Sequence, residues 1–334
     1  MHLDMTLDTD PTERHMMEQP TMMRGAQYFR YGSPDVLQIN DVPVPTPRRS
    51  ELLLKVIACS VNRADAIARS GGTRLTNGPR FPKGTGVDVV GEVVARGDHC
   101  SRHDIGDVVW GYVGMATMGR TGTAAEYATI DEKSVSHAPR VPDVKDAAAL
   151  PLVALTALQS LRNRLMVGTG ERVLIVGGSG GVGTAAIQLA RHLGAEVASV
   201  SSGNNLDLCA SLGASETYAH DALPAADTVP SFNAIFDCTG IETARYRDYL
   251  KPGGRMVTIA PGGLPTVLGS LLSRRRVSFL PVKVVPSDLE WLADAVERGR
   301  LRPVIDRRYD LDETARAHEY VAAAHTRGKS IIVP

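Results

Sequence analysis

Val173-Leu-Ile-Val-Gly-Gly-Ser-Gly-Gly-Val-Gly183, followed directly by Thr184-Ala-Ala-Ile-Gln-Leu-Ala-Arg191, is the stretch that decides the fold. Its four leading apolar residues read as a buried parallel strand. The glycines then make a tight turn, and an Ala/Leu-rich helix opens at its end. In the spacing Gly178-x-Gly180-x-x-Gly183 the absent side chains let the backbone approach a pyrophosphate, whose charge sits on the unpaired N–H groups of the helix N-terminus. Such glycine spacing alone arises by chance; a strand before it and a helix after it mark a dinucleotide site. Gly177, Ser179, Gly180, Gly181, Val182 and Gly183 are therefore expected to contact the cofactor.

Outward from this turn the pattern alternates. Helix 182–193, strand 196–201, helix 204–212, strand 233–237, a helix around 242–250 and strand 255–260 follow in order, which predicts a doubly wound parallel sheet over residues 146–285. Upstream, residues 23–145 carry short apolar runs between Pro/Gly/Asp turns, a β-rich texture. The proline-punctuated segment Asp41–Arg48 cannot be a central strand. After Pro286 come helix 289–298, the segment 303–309, helix 311–324 and strand 330–333. β-type sequence on both sides of the nucleotide region predicts one discontinuous domain from 23–145 and 286–334, with the ligand cleft between the two domains. Residues 1–22 read as a flexible tail.

A chain of 334 residues is long enough for two such cores. With 37 Lys+Arg against 37 Asp+Glu, no global field favours nucleic acid or an anionic membrane. No apolar run approaches the ~18–20 residues of a membrane span, and residues 1–22 lack the apolar region of a secretory signal. The scattered cysteines Cys59, Cys100, Cys209 and Cys238 fit reduced thiols and a cytoplasmic location.

The second strand of the nucleotide fold identifies the electron donor. NAD-selective folds put Asp or Glu about 20 residues past the glycines to hold the ribose 2′-hydroxyl. Here Ser199-Val-Ser-Ser-Gly-Asn-Asn205 offers no carboxylate to repel a 2′-phosphate. Ser201, Ser202 and Asn205 supply donors, so NADPH is expected. Topology brings the strand ends at Thr239 and at Ala260 to Gly262 beside the riboses. Thr156 is either a cofactor contact or a helix-interior hydroxyl bonding its own backbone. Lys329 is counted with the cofactor contacts, although a solvated lysine is the commoner arrangement.

Asp41-Val-Pro-Val-Pro, Val61-Asn-Arg-Ala-Asp65, Gly86-Val-Asp-Val-Val-Gly-Glu-Val-Val94, Gly106-Asp-Val-Val-Trp110, Ala148-Ala-Leu-Pro-x-x-Ala-Leu-Thr-Ala157, Gly299-Arg-Leu-Arg-Pro-Val304 and Gly328-Lys329 join the glycine turn in one ordered series. From about Met23 onward the chain thereby resembles the medium-chain dehydrogenase/reductase family, in its zinc-free quinone oxidoreductase, zeta-crystallin-like branch. The resemblance implies an α/β protein: a GroES-like β-rich catalytic domain beside a Rossmann domain. It also implies a homodimer joined near Arg276–Leu280. Ser202 matches the family's 2′-phosphate serine. Asn205 stands where many quinone reductases have Lys, and His220, a further possible phosphate donor, stands where they have Tyr.

Zinc-dependent members place Cys where this chain has Val61-Asn62, and a His-Glu pair where it has Val87-Asp88. No closely spaced cysteine quartet is present either. A catalytic zinc needs about three protein ligands, so no metal is expected. The turn His99-Cys-Ser-Arg-His-Asp104 offers three ligand types in six residues but no distant ligand, and reads as a solvated polar turn.

Without a Lewis acid, hydride is expected to go to acceptors that are already electrophilic, such as quinones and α,β-unsaturated carbonyls. Hydrogen bonds would stabilise the charge that develops on oxygen. Asn62, at the former zinc-ligand position, is the first candidate donor. Many quinone reductases carry Tyr where this chain has Ile67, so a phenolic acid is lost there. Tyr112 either replaces it or is a packed aromatic; solvent is another proton source. The substrate wall is expected from residues 71–80, 112–122 and 262–273, the last being apolar and equally suited to a subunit contact. A small hydrophobic electrophile is the expected ligand, with no nucleic-acid or membrane partner. Two rival readings are a dedicated enoyl reductase of a polyketide-type pathway and a redox-silent NADPH-binding protein.

Overall fold

In the computed structural model, residues 20–114, 122–271, 273–323 and 326–334 are described. The strand Arg172–Val176 is apolar on both faces and lies at the middle of a six-stranded sheet. Glu196–Ser201 and Glu216–Ala219 extend the sheet to one side; Phe232–Asp237, Leu250–Thr258 and Val277–Phe279 extend it to the other. Every neighbouring pair is parallel. Numbered within this sheet, the order is 3-2-1-4-5-6, the doubly wound arrangement in which a dinucleotide binds where the strand order reverses. Helix Gly181–His192 follows the turn.

Two of these strands lay outside the expected set. Glu216–Ala219 is half-buried throughout and Val277–Phe279 spans three residues at the other edge. The first carries no apolar alternation and the second is too short to show a period, and pairing with their neighbours makes them strands. Leu250–Thr258 begins earlier than expected, with a register shift against Phe232–Asp237 near its Pro252-Gly-Gly turn.

The β-rich region forms a seven-stranded sheet and a three-stranded one. In the larger sheet the order is Ile305–Asp310, Lys329–Val333, Glu51–Val61, Asp88–Arg96, Val108–Tyr112, Val135–His137, with Tyr127–Asp131 also on Glu51–Val61. The last strand pairs antiparallel with Glu51–Val61 in the register Ser330↔Val61 and Ile331↔Ser60, so segments from before and after the nucleotide region share this sheet. Leu37–Pro43, which runs into the prolines, lies at the edge of the smaller sheet.

Helix Pro151–Leu158 joins the two halves. All eight of its residues are buried, as a helix apolar on every face must be. It shares one hydrophobic cluster with Ala58, Val87, Val90 and Trp110 of the β-rich region and with Val173, Ile175 and Ala186 of the nucleotide region. Leu155, Leu158 and Leu161 are fully buried, each contributing about 1.5–3 kcal/mol of transfer free energy. Among the described residues no helix is long and apolar enough to cross a membrane.

Candidate active site

The nucleotide cradle is built from strand ends. Gly177 has φ +82, open to glycine at little cost, and its N–H bonds Val200 O at 2.9 Å. A side chain at Gly183 would collide with the Gly177 carbonyl, and one at Gly178 with Ser199 Oγ. Gly180 is different: a Cβ there would meet only Gly177 O, at 3.6 Å, which leaves room at the helix N-terminus for a ligand. Ser179, Gly180, Gly181 and Val182 are half-buried around this opening, and Gly183 is buried beneath it.

Neighbouring strand ends complete the rim. A Cβ on Gly177 would lie 2.7 Å from Thr239 Cγ2, and one on Gly262 would lie 2.7 Å from Gly240 O. Thr239 therefore adjoins the turn, and Ala260 and Gly262 pack on Gly240 next to it. Asp237, fully buried, fixes this corner: its Oδ1 accepts Thr239 N–H at 2.9 Å and Thr239 Oγ1 at 2.8 Å, and its Oδ2 accepts Thr243 Oγ1 at 2.6 Å. On the other side, Asn205 Nδ2 donates to Ser202 Oγ at 2.9 Å and to Ser179 Oγ at 3.2 Å, binding the end of strand Glu196–Ser201 to the turn. Ser202 is exposed there. Ser201 is buried and its hydroxyl donates to Ser202 O; exposed His220 sits beside it, Nδ1 at 3.4 Å from Ser201 O.

Opposite the turn lies a buried polar cluster. Strand Glu51–Val61 ends and helix Arg63–Arg69 begins at Asn62, an N-cap whose N–H bonds Asp65 Oδ2 at 2.8 Å; Asn-x-x-Asp suits such a strand-to-helix junction. The Asn62 amide is held at both ends. Nδ2 donates to Asp88 Oδ2 at 2.8 Å, and Oδ1 accepts Lys329 Nζ at 2.6 Å. Lys329 Nζ also donates to Val61 O at 2.9 Å and lies 3.7 Å from Asp88 Oδ2. Asp88, wholly buried, accepts Ser60 Oγ at 2.6 Å and Leu152 N–H at 2.7 Å as well.

Lys329 connects the two clusters. A Cβ on Gly181 would lie 2.7 Å from Lys329 Cδ, so the lysine stem crosses the glycine turn while its ammonium reaches Asn62. The neighbouring Gly328 N–H bonds Ser179 O at 2.8 Å. Burial lowers the Lys329 pKa, opposed by the carboxylates of Asp88 and Asp65. Burial likewise raises Asp65 to about 7, against the Asn62 N–H and Lys329, and its Oδ1 has no hydrogen-bond partner.

Three residues carried two readings each, and the structure places them as follows. Lys329 is 6 % exposed, not solvated, because the cluster satisfies its charge. Tyr112 stands opposite Asp88 in the sheet register, but at 1 % exposure it is packed in the core; burial pushes its hydroxyl up and leaves it unpartnered. The Thr156 hydroxyl donates to Leu152 O at 2.7 Å, the helix-interior alternative. Residues 115–121 and 272 of the expected substrate wall lie outside the described residues, as do residues 1–19 of the tail. Asp88 and Asp237 were missed as positioning carboxylates. The available signal was an acid inside an apolar run, Gly86-Val-Asp-Val-Val90 and Phe232-Asn-Ala-Ile-Phe-Asp237, since acids are rarely buried without partners.

Residues 48–140 match the family model described as alcohol dehydrogenase GroES-like domain, and residues 212–332 match the one described as zinc-binding dehydrogenase. The chain is 32% identical over 328 residues to a quinone-oxidoreductase homolog, chloroplastic, of Spinacia oleracea, covering 94% of this chain and 99% of that protein. It is 30% identical over 324 residues to an Arabidopsis thaliana NADPH-dependent alkenal/one oxidoreductase, chloroplastic, covering 94% and 80%. The solved structure of the quinone oxidoreductase from Coxiella burnetii superposes with a TM-score of 0.87 at 31% identity, covering 94% and 99%.

Proposed function

The chain belongs to the quinone oxidoreductase branch of the medium-chain dehydrogenase/reductase family, and from that premise we propose that it is an NADPH-dependent reductase of quinones and α,β-unsaturated carbonyls that works without a catalytic metal. The observation that carries this reading is the Asn62 amide, held between Asp88 and Lys329 directly across from the glycine turn.

Metal independence is supported by the donor set. A zinc at this position would face an amide and a carboxylate already engaged by several donors, with an ammonium in their midst. The buried Cys59 thiol is pushed far up by burial and does not offer the thiolate zinc prefers. These residues do not fit the ion. NADPH preference is supported by the exposed Ser202, by Asn205 beside it, and by a strand end without a carboxylate.

When bound, the reduced nicotinamide supplies the hydride. The chain's own residues position and stabilise. The Asn62–Asp88 bond uses one N–H of the amide, and the second N–H donates to the oxygen on which charge collects in the acceptor. Lys329, fixed on Asn62 Oδ1, keeps that amide from flipping and adds positive potential beside the developing oxyanion. The proton that completes reduction comes from solvent, because Tyr112 is sealed in the core. Exposed Leu264 and Leu268, past the Ala260–Gly262 rim, suit a hydrophobic acceptor.

A homodimer through the open edge at Val277–Phe279 is part of this reading, since an unpaired edge strand invites pairing. A cytoplasmic location is supported by four free cysteines. The test is NADPH consumption across a panel of quinones and enones, with Asn62→Ala alongside. Turnover on either class, and a fall in kcat that exceeds any loss of NADPH affinity, are expected. Tight NADPH binding with no turnover on any acceptor would sink the catalytic reading.

A further inference from the structure

We propose that His103, Asp107 and His137 form a site for one divalent transition-metal ion of the zinc class, separate from the catalytic cluster. The turn containing His103 offered no distant ligand in the linear sequence, and the fold supplies one. His103 lies between strands Asp88–Arg96 and Val108–Tyr112, Asp107 immediately precedes the second of these, and His137 ends the neighbouring strand, paired with Val109. One ligand atom from each residue lies within 4.8 Å of the other two. His137 Nδ1 is 4.0 Å from Asp107 Oδ2, and the two imidazole rings meet edge to face at 4.9 Å.

The second observation is His103 itself. It is 4 % exposed, yet neither ring nitrogen has a hydrogen-bond partner. Leaving a buried polar group unmet costs about 1–3 kcal/mol, and a metal ion would satisfy one nitrogen directly.

The surroundings agree. Asp107 Oδ2 accepts the Asp104 N–H at 2.8 Å, an outer hydrogen bond that orients a ligating carboxylate. Of the nearby guanidinium groups, Arg102 pairs with Glu290, and Arg96 donates to Asp104 Oδ1 and to the His103 backbone carbonyl, away from the ligand atoms. Among the described residues the one ion pair of Asp107 is with His137.

Two imidazoles and a carboxylate suit zinc, cobalt, nickel or copper; magnesium and calcium prefer oxygen alone. Donor atoms around a tetrahedral ion stand about 3.3 Å apart, so the set must tighten. The His137 side chain, 66% exposed, is free to rotate inward, and its solvent face leaves the fourth position to water. Five residues of extended strand separate Asp107 from Tyr112, roughly 16 Å, so an ion here braces the turn and takes no part in hydride transfer.

The test is titration of chelator-treated protein with Co2+, read by its visible absorption, and with Zn2+, read by calorimetry and by Tm. About one equivalent of each should bind, and Zn2+ should raise Tm. His137→Ala removes a mostly exposed ring whose ring contact is His103, and should weaken binding by at least the ~10–100-fold that loss of an outer partner alone costs, abolish the Tm rise and leave the NADPH titration unchanged. Asp107→Asn, a second variant that spares buried His103, should do the same. No saturable binding by the wild type, or wild-type affinity in both variants, would overturn the proposal.

Discussion

Replacing Lys329 by Met removes one ammonium and keeps most of the stem that crosses Gly181, so it isolates the charge. In the wild type that charge stands 3.7 Å from Asp88 Oδ2, a gross attraction of about 4.5 kcal/mol at an effective dielectric of 20. Desolvation of the lysine offsets part of it, in keeping with the downward shift of its pKa. Asp88 also retains Ser60, Asn62 and the Leu152 N–H after the change. Breaking a buried pair from one side costs about 3–5 kcal/mol; with three donors still on Asp88 the expected loss is ~2–3 kcal/mol. Urea unfolding reads it as a lower midpoint at constant slope. Asn62 Oδ1 simultaneously loses its donor, so kcat should fall while NADPH affinity holds better. Asp88→Asn strands the ammonium instead, and the double variant should recover at least ~1 kcal/mol relative to the sum of the single changes. Additive stabilities together with an unchanged kcat would refute the coupled Asn62–Asp88–Lys329 cluster.

Three further outcomes follow from the same geometry. Ser202→Asp puts a carboxylate at the exposed adenosine end and should shift the kcat/KM ratio from NADPH toward NADH by ~10–100-fold, about 1.4–2.8 kcal/mol; an unmoved ratio would place the 2′-phosphate elsewhere. Burial raises Asp65 from 3.8 to about 7, so folding favours its protonated form. That contribution is complete below the unfolded value and is lost as pH climbs through the folded one. Asp65→Asn does not titrate, so between about pH 4 and 8 the wild type should lose stability relative to it, by up to roughly 4 kcal/mol; a pH-independent difference would contradict the burial argument. Gly183→Ala drives a methyl into the Gly177 carbonyl, and should lower Tm by several degrees and abolish NADPH binding; a soluble variant with native cofactor affinity would show that the turn can yield.

Local signals proved sufficient for the centre of the nucleotide fold. Strand 196–201 was expected with the bounds it has, and the helix after the glycines lies within one residue of its expected position, because apolar runs and glycines act over a few neighbours. Glu216–Ala219 was invisible because its strand character comes from pairing with Ala198–Ser201. The site divides the same way. Asn62 was found from its place in the chain, and the Thr156 hydroxyl resolves to a bond four residues back. The partners of Asn62, Asp88 and Lys329, lie 26 and 267 residues away. They meet through two sheet registers, Ser60↔Asp88 and Ser330↔Val61, which no short pattern encodes. The isolated acid among valines was the one legible clue.

The backbone bond from Gly328 to Ser179 and the bridge between Gly180 and Gly328 clasp the nucleotide turn to the final strand of the other sheet, beside Asn62. The clasp acts together with the buried helix Pro151–Leu158 and the two bonds between Gln188 and Arg302. Because the main chain makes it, the spacing between Gly180 and Asn62 does not depend on any side chain of the rim. The closing residues of the polypeptide thereby set the gauge of the reaction, a mechanical task for a segment that reads, in one dimension, as an ordinary terminal strand.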